Sequence, residues 1–256
     1  MTRVDIDTIA SAGATKLEYS RTQPVRYLSR AAMAGAFIMV GSIISTLSAA
    51  WFYVDQPGVA KLLGAATFSA ALILIVLLGG ELFTGTNFVM GVSLYENKVT
   101  LLGAIRIWIF AYIGNFIGIF LLTLIIAGSG ASRDLFAAYL AVVVPGKLAG
   151  SWYALLLKGI MCNFLVCMGV YAGLKLKSES GKCIAILCVI TTFVLAGFEH
   201  SVANMATFSL YALLVPNPNI GGIVWNMIWV TIGNLIGGAV LLGLPVWLSA
   251  EAEKNS

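Results

Sequence analysis

Charge is what this chain has little of. Only 10% of its 256 residues are Asp, Glu, Lys or Arg, against roughly 25% in soluble proteins, which excludes an ordinary cytosolic enzyme. Histidine is scarcer still, with His200 alone. One imidazole leaves no multi-histidine metal site and no haem held between two histidines. The four cysteines, Cys162, Cys167, Cys183 and Cys188, stand in pairs five apart within apolar runs, which is neither CxxC nor zinc spacing and reads as core packing. A nucleotide-binding glycine motif is missing too. A membrane enzyme or an electron-transfer subunit therefore has little material here, and we expect no cofactor, no metal and no enzymatic activity. The basic residues are not gathered on a soluble module, so nucleic acid is not an expected partner. The first thirty residues lack the apolar stretch of a cleavable signal.

What the chain has is apolar length. Hydrophobic residues make up 60% of it, with a mean hydropathy of +0.96. Its apolar runs of about 15 to 30 residues cross a hydrocarbon core of about 30 Å at about 1.5 Å per residue. We read six spans, at about 28–53, 59–95, 103–127, 151–174, 183–215 and 222–249. These form a six-span membrane domain at 28–249, between an N-terminal segment at 1–27 and a tail at 250–256, both read as cytoplasmic. With the N-terminus inside, eleven basic residues fall on the inner side and four, Lys61, Arg133, Lys147 and Lys158, on or near the outer. The positive-inside rule then puts both termini in the cytoplasm. The N-terminal segment reads as a short amphipathic helix around 5–20 or as a loosely ordered tail.

Two spans have the wrong length for a single crossing. Leu62 to Tyr95 has no strong charge break except Glu81 and would make a helix of about 51 Å; Cys183 to Pro216 is just as long. Each holds a glycine-rich polar patch, GGELFTGTN at 79–87 and GFEHSVANM at 197–205. Such patches predict broken helices, tolerated at membrane depth only where protein or a water-filled pathway satisfies the backbone. The two patches also correspond. Each is followed about 34 residues later by Ile-Gly-Asn, at 113–115 and 232–234, so the chain reads as a duplication with halves at about 28–127 and 151–249. Three spans per half is odd, and the second copy enters the membrane inverted. The fold class is an all-α membrane protein of six transmembrane helices in two inverted three-helix repeats, its second and fifth helices broken. Gly114, Gly118, Gly233 and Gly237 read as close-packing positions.

Buried ionisable groups in a bilayer face a cavity or a partner. Glu81 and Glu199 occupy matching places, where we expect them to accept hydrogen bonds from backbone amides freed at the breaks. His200 has the apolar Leu82 as its counterpart, so the shared architecture does not require it. Its ordinary pKa of about 6.5 gives it a role near neutrality. Asn163 and Asn204 lie in apolar runs and read as interhelical glue, while Thr84 offers a hydroxyl to an anion or to the histidine. Lys147 reads as a solvated loop lysine. Donors and positive charge with few free acidic groups point to a small anion.

At these residues the chain resembles the formate/nitrite transporter family, through ELFTG at 81–85, KGIMCNFLVC at 158–167, AGFEHSVANM at 196–205 and WVTIGNLIGG at 229–238. The resemblance covers about Met33 to Trp247. It implies a homopentamer in the inner (plasma) membrane, with an aquaporin-like protomer and one pore in each. By the same resemblance, Leu72, Leu82, Phe83 and Phe193 form hydrophobic constrictions. Lys147, Asn163, Thr84 and His200 then form a polar network in or beside the pore, with Lys147 as an anion-attracting charge. Members conduct formate, nitrite or hydrosulfide, and whether His200 passes a proton to the anion or only binds it stays open. A neutral-solute or water channel of aquaporin type is the alternative, weakened by the missing paired Asn-Pro-Ala signature.

Overall fold

The computed structural model describes residues 2–250; Lys254 and nearly all of the tail at 250–256 lie outside the described residues. Helix α1 (Arg3–Thr22) opens with a capping box in which the Thr2 side chain accepts the Asp5 amide. Spans then follow as α2 (Pro24–Ala50), α3 (Pro57–Leu78) with the short α4 (Phe83–Tyr95), and α5 (Leu101–Ser129). Proline at the first position starts α2 and α3, while Thr100 caps α5 by accepting the Gly103 amide. The chain continues through α6 (Arg133–Leu148), α7 (Trp152–Lys175), α8 (Glu179–Ala196) with the short α9 (Ser201–Leu214), and α10 (Ile220–Ile236). A π-helical turn at Gly237–Leu242 carries α10 into α11 (Gly243–Leu248). Among the described residues, six helical stretches are long and apolar enough to cross a membrane: α2, α3, α5, α7, α8, and α10 continued through α11.

The over-long second and fifth runs thus resolve into a long and a short helix each, separated by four residues, 79–82 and 197–200. Both long helices stop at a glycine with positive φ, Gly79 at 81° and Gly197 at 73°. Only a residue without Cβ takes that turn cheaply. One helix was not anticipated. Helix α6 buries Phe136, Leu140, Val144 and Leu148, four residues apart, despite Pro145 near its end.

Asparagines hold the breaks. In the first half, Asn115 Oδ1 accepts the Phe83 amide at 2.9 Å, and Nδ2 donates to Ala31 O at 2.8 Å and Glu81 O at 2.9 Å. In the second, Asn234 Oδ1 accepts the Ser201 amide at 2.7 Å, and Nδ2 donates to Gly159 O at 2.8 Å and Glu199 O at 2.9 Å. The Glu81 and Glu199 amides donate to Arg30 O and Lys158 O, each at 3.3 Å. The two halves repeat bond for bond. Close packing is equally paired: a Cβ on Gly118 would stand 1.9 Å from Ala32 O and one on Gly237 2.2 Å from Ile160 O.

This corrects the expectation for the two glutamates. Their carboxylates take no backbone amide at the breaks, because Asn115 and Asn234 hold those of Phe83 and Ser201, and the carbonyls of Arg30 and Lys158 hold those of the glutamates themselves. Glu81 Oε2 instead receives Lys16 Nζ at 2.5 Å and Tyr27 OH at 3.4 Å, and Glu199 Oε2 receives Lys147 Nζ at 2.8 Å and Asn204 Nδ2 at 2.7 Å.

Helix α1 buries Ile6, Ile9 and Leu17 and lies against α4. Arg3 binds Glu96, Asp5 accepts from Lys175 at 2.9 Å, and Ser93 Oγ donates to Ala10 O at 3.2 Å. The Arg3 hydrogen bond holds the Glu96 carboxyl below its ordinary 4.5, and Lys175 holds Asp5 below 3.8. A depressed carboxyl stabilises docking above its ordinary pKa, and that contribution is lost as pH falls through the lower folded value. Distances between spin labels on α1 and α4 should therefore stay constant from neutral pH down to about 5 and lengthen only below about 4. Release between pH 7 and 5 would contradict this account of the docking.

Candidate functional site

Among the cavities of the described residues, two have a break lying at them. The larger, of about 360 Å³, is lined by Phe68, Lys147, Lys158, Phe193, Glu199, His200 and Asn204. The other, of about 230 Å³, is lined by Lys16, Arg30, Leu72, Glu81, Leu82 and Gly85. The residue that starts each short helix is in its cavity, Leu82 for α4 and His200 for α9. Apolar side chains surround the inner ends. Phe193 stacks on the His200 ring with centroids 5.9 Å apart and meets Phe68 edge-on at 6.1 Å. Leu72, Leu82, Phe83 and Phe193 are all buried. Phe83 lines neither cavity; its ring stands edge-on to Tyr112 at 5.0 Å.

His200 uses both ring nitrogens. Nδ1 accepts the Ala203 amide at 2.9 Å and so caps α9, and Nε2 stands 2.9 Å from Thr84 Oγ1. A neutral imidazole whose Nδ1 accepts must carry its hydrogen on Nε2. Nε2–H therefore donates to Thr84, leaving the Thr84 hydroxyl hydrogen available for another acceptor. Leu82 caps α4 with no side-chain bond. This pair joins α4 to the start of α9, and both helix N-termini, with their partial positive charge, begin at the breaks.

Asn163 lies behind the pair. Its Nδ2 donates to Thr84 O at 3.1 Å and Asn234 O at 2.6 Å, so both amide hydrogens are taken by carbonyls. The residue braces Thr84, and no amide donor is left for a solute.

Lys147, at the end of α6, is no solvated loop lysine. Besides Glu199, its Nζ donates to Asn204 Oδ1 at 3.2 Å. Asn204 Nδ2 reaches Asn226 Oδ1 at 2.9 Å, and Asn226 Nδ2 returns to Lys147 O at 2.9 Å. The four residues close a ring. Lys16 holds the equivalent place on Glu81 in the first half. Sequence reasoning did not single out Lys16, Phe68, Asn226 or the clamp function of Asn115 and Asn234. The two Ile-Gly-Asn tripeptides were the available signal for the clamps.

Two charged cavities, separated by a buried apolar zone within a bundle of membrane-length helices, define a multi-pass membrane transport protein. The chain belongs to the formate/nitrite transporter family: the family described as "Formate/nitrite transporter" matches residues 4–248. It is 31% identical over 246 residues to the nitrite transporter NirC of Escherichia coli, covering 94% of this chain and 90% of that protein. A solved "FNT family ion channel" superposes with a TM-score of 0.89 at 28% identity, covering 96% of this chain and 99% of that one. A second, "Pentameric formate channel with formate bound", gives 0.76 at 27% identity, covering 88% and 96%. Membership sets aside the aquaporin-type alternative.

Proposed function

We propose that the chain forms a channel for small monovalent anions of weak acids, formate, nitrite or hydrosulfide, with one pore per protomer of a homopentamer in the plasma membrane. The nitrite transporter and the pentameric formate channel among its relatives support the substrate class and the assembly. The bond-for-bond match of the two breaks supports an inverted repeat of three spans per half. The repeat extends beyond 28–127 and 151–249, because α1 and α6 supply equivalent lysines. The basic loops favour cytoplasmic termini.

The observation that carries the reading is the Thr84–His200 hydrogen bond in the apolar zone between two cationic cavities. An anion pays heavily to leave water for such a zone unless donors replace its hydration. The Thr84 hydroxyl hydrogen, turned outward because the His200 Nε2–H occupies the Thr84 oxygen, and the N-termini of α4 and α9 supply those donors. Protonating His200 would put a hydrogen on Nδ1 and break the α9 cap. We therefore read the ring as a neutral hydrogen-bond donor, with any proton that accompanies the anion coming from cavity water. In proteoliposomes, purified protein should carry formate, nitrite or hydrosulfide far faster than sulfate or glycerol. Rapid glycerol flux with no anion flux would overturn the reading.

A further inference from the structure

We propose that Lys158 and Arg30, one at each mouth, are the charges that draw the anion into the pore. The inference rests on the channel reading above and concerns which cation does the capturing. Lys147 is poorly suited to that task, because its ammonium is 2.8 Å from the Glu199 carboxylate and bound again by Asn204. To an anion in bulk water, that ion pair is a dipole with no net charge. Lys158 lines the same cavity, is exposed, and has no ionic partner among the described residues. With Lys147 and Glu199 cancelling, Lys158 leaves this mouth positive.

The position of Lys158 within its span argues against a lysine that merely tops a helix. It is the seventh residue of α7, which opens with the exposed aromatics Trp152 and Tyr153. Aromatic pairs of this kind mark the membrane interface. Six residues further along the helix is about 9 Å deeper. An uncompensated ammonium at that depth needs water around it, and the cavity provides it.

The other half repeats the arrangement. Arg30 is the seventh residue of α2 and lines the second cavity. The carbonyls of Arg30 and Lys158 accept the amides of Glu81 and Glu199 at the same distance, 3.3 Å. Each cation is thus held beside its break by its own backbone, independently of its side chain. In this mouth Lys16 lies on Glu81 at 2.5 Å, while the Arg30 guanidinium stands off at 3.9 Å and is half exposed. Lys16 and Lys147 clamp the glutamates; Arg30 and Lys158 are the remaining positive charge. A charge in a low-dielectric funnel raises local anion concentration and lowers the electrostatic cost of the path beyond it.

The test is initial formate flux, well below saturation, in vesicles of one protein orientation, for wild type, Lys158→Gln, Lys158→Arg and Arg30→Gln. At low ionic strength, Lys158→Gln should slow flux by about 3- to 10-fold, and Lys158→Arg should keep the wild-type rate. Adding about 0.3 M sodium gluconate, where charges more than several ångströms apart are screened, should close the gap when it is on the Lys158 side alone. For Arg30→Gln, the salt should act from the opposite side. Equal flux of wild type and Lys158→Gln at low salt overturns the proposal, and so does a deficit that persists with salt on both sides. Wild-type protein that carries no anion instead defeats the channel reading on which the proposal rests.

Discussion

Asn234→Ala should yield a protein whose thermal unfolding midpoint in detergent falls by roughly 10 °C or more, at about 2–4 °C per kcal/mol for a domain of this size. The Asn234 side chain makes three bonds in a fully buried setting, one from the Ser201 amide and two to the carbonyls of Gly159 and Glu199. Alanine fills none of those roles. Each backbone group left without a partner costs about 1–3 kcal/mol, so the sum is several kcal/mol from a total of the order of 5–15. Asn234→Asp should fare no better, because a carboxylate still accepts from Ser201 but repels both carbonyls. Asn115→Ala should match Asn234→Ala, since Asn115 makes the same three bonds. A variant that unfolds like wild type would mean that the breaks are held by something other than these clamps.

His200→Phe should leave the protein folded and remove most of its anion flux. The ring supplies one cap, worth about 1 kcal/mol, so the unfolding midpoint should move by only a few degrees. A hydrogen bond to a charged group is worth about 1.5–3 kcal/mol, which corresponds to a flux loss of about 10- to 150-fold. Thr84→Val removes the hydroxyl that completes the pair and should cut flux in the same direction. His200→Asn keeps an amide donor and should recover part of the flux. Its pH profile should then keep the wild-type midpoint, because the ring is read as a neutral donor whose Nδ1 is occupied by Ala203. A midpoint that disappears in His200→Asn would show instead that the imidazole titrates during transport.

The sequence made the spans legible because apolar runs, charge breaks and the two glycines that end α3 and α8 are local features. The breaks were legible from length alone, since neither the second nor the fifth run fits one crossing. The partners across the breaks were not. Lys16 meets Glu81 across 65 residues and Lys147 meets Glu199 across 52, and nothing within a helix period connects such pairs. A carboxylate beside loosened amides is a reasonable acceptor for them from sequence alone, whereas Asn115 and Asn234 do that work in the fold. The asparagines were visible only as marks of duplication, because each reaches its break over 32 to 35 residues. Helix α6 was hidden because Pro145 and Gly146 are poor helix formers just before Lys147, although the buried residues upstream are spaced by four.

Lys147 shows how a resemblance and a geometry divide the work. Family likeness marks it as an attractor of anions, and the structure finds it tied into a ring with Glu199, Asn204 and Asn226. Such a ring orients the start of α9, and with it His200. The positive charge left at the mouth is one helix away, on α7.

The most direct measurement is initial flux of formate, nitrite, hydrosulfide, chloride and glycerol into proteoliposomes of wild-type protein, read beside His200→Phe in the same lipid. Wild-type flux should be rapid for at least one of the three weak-acid anions and slow for chloride and glycerol, and the weak-acid flux should be lost in the folded variant. Equal weak-acid flux in wild type and His200→Phe, or transport of glycerol alone, would contradict it.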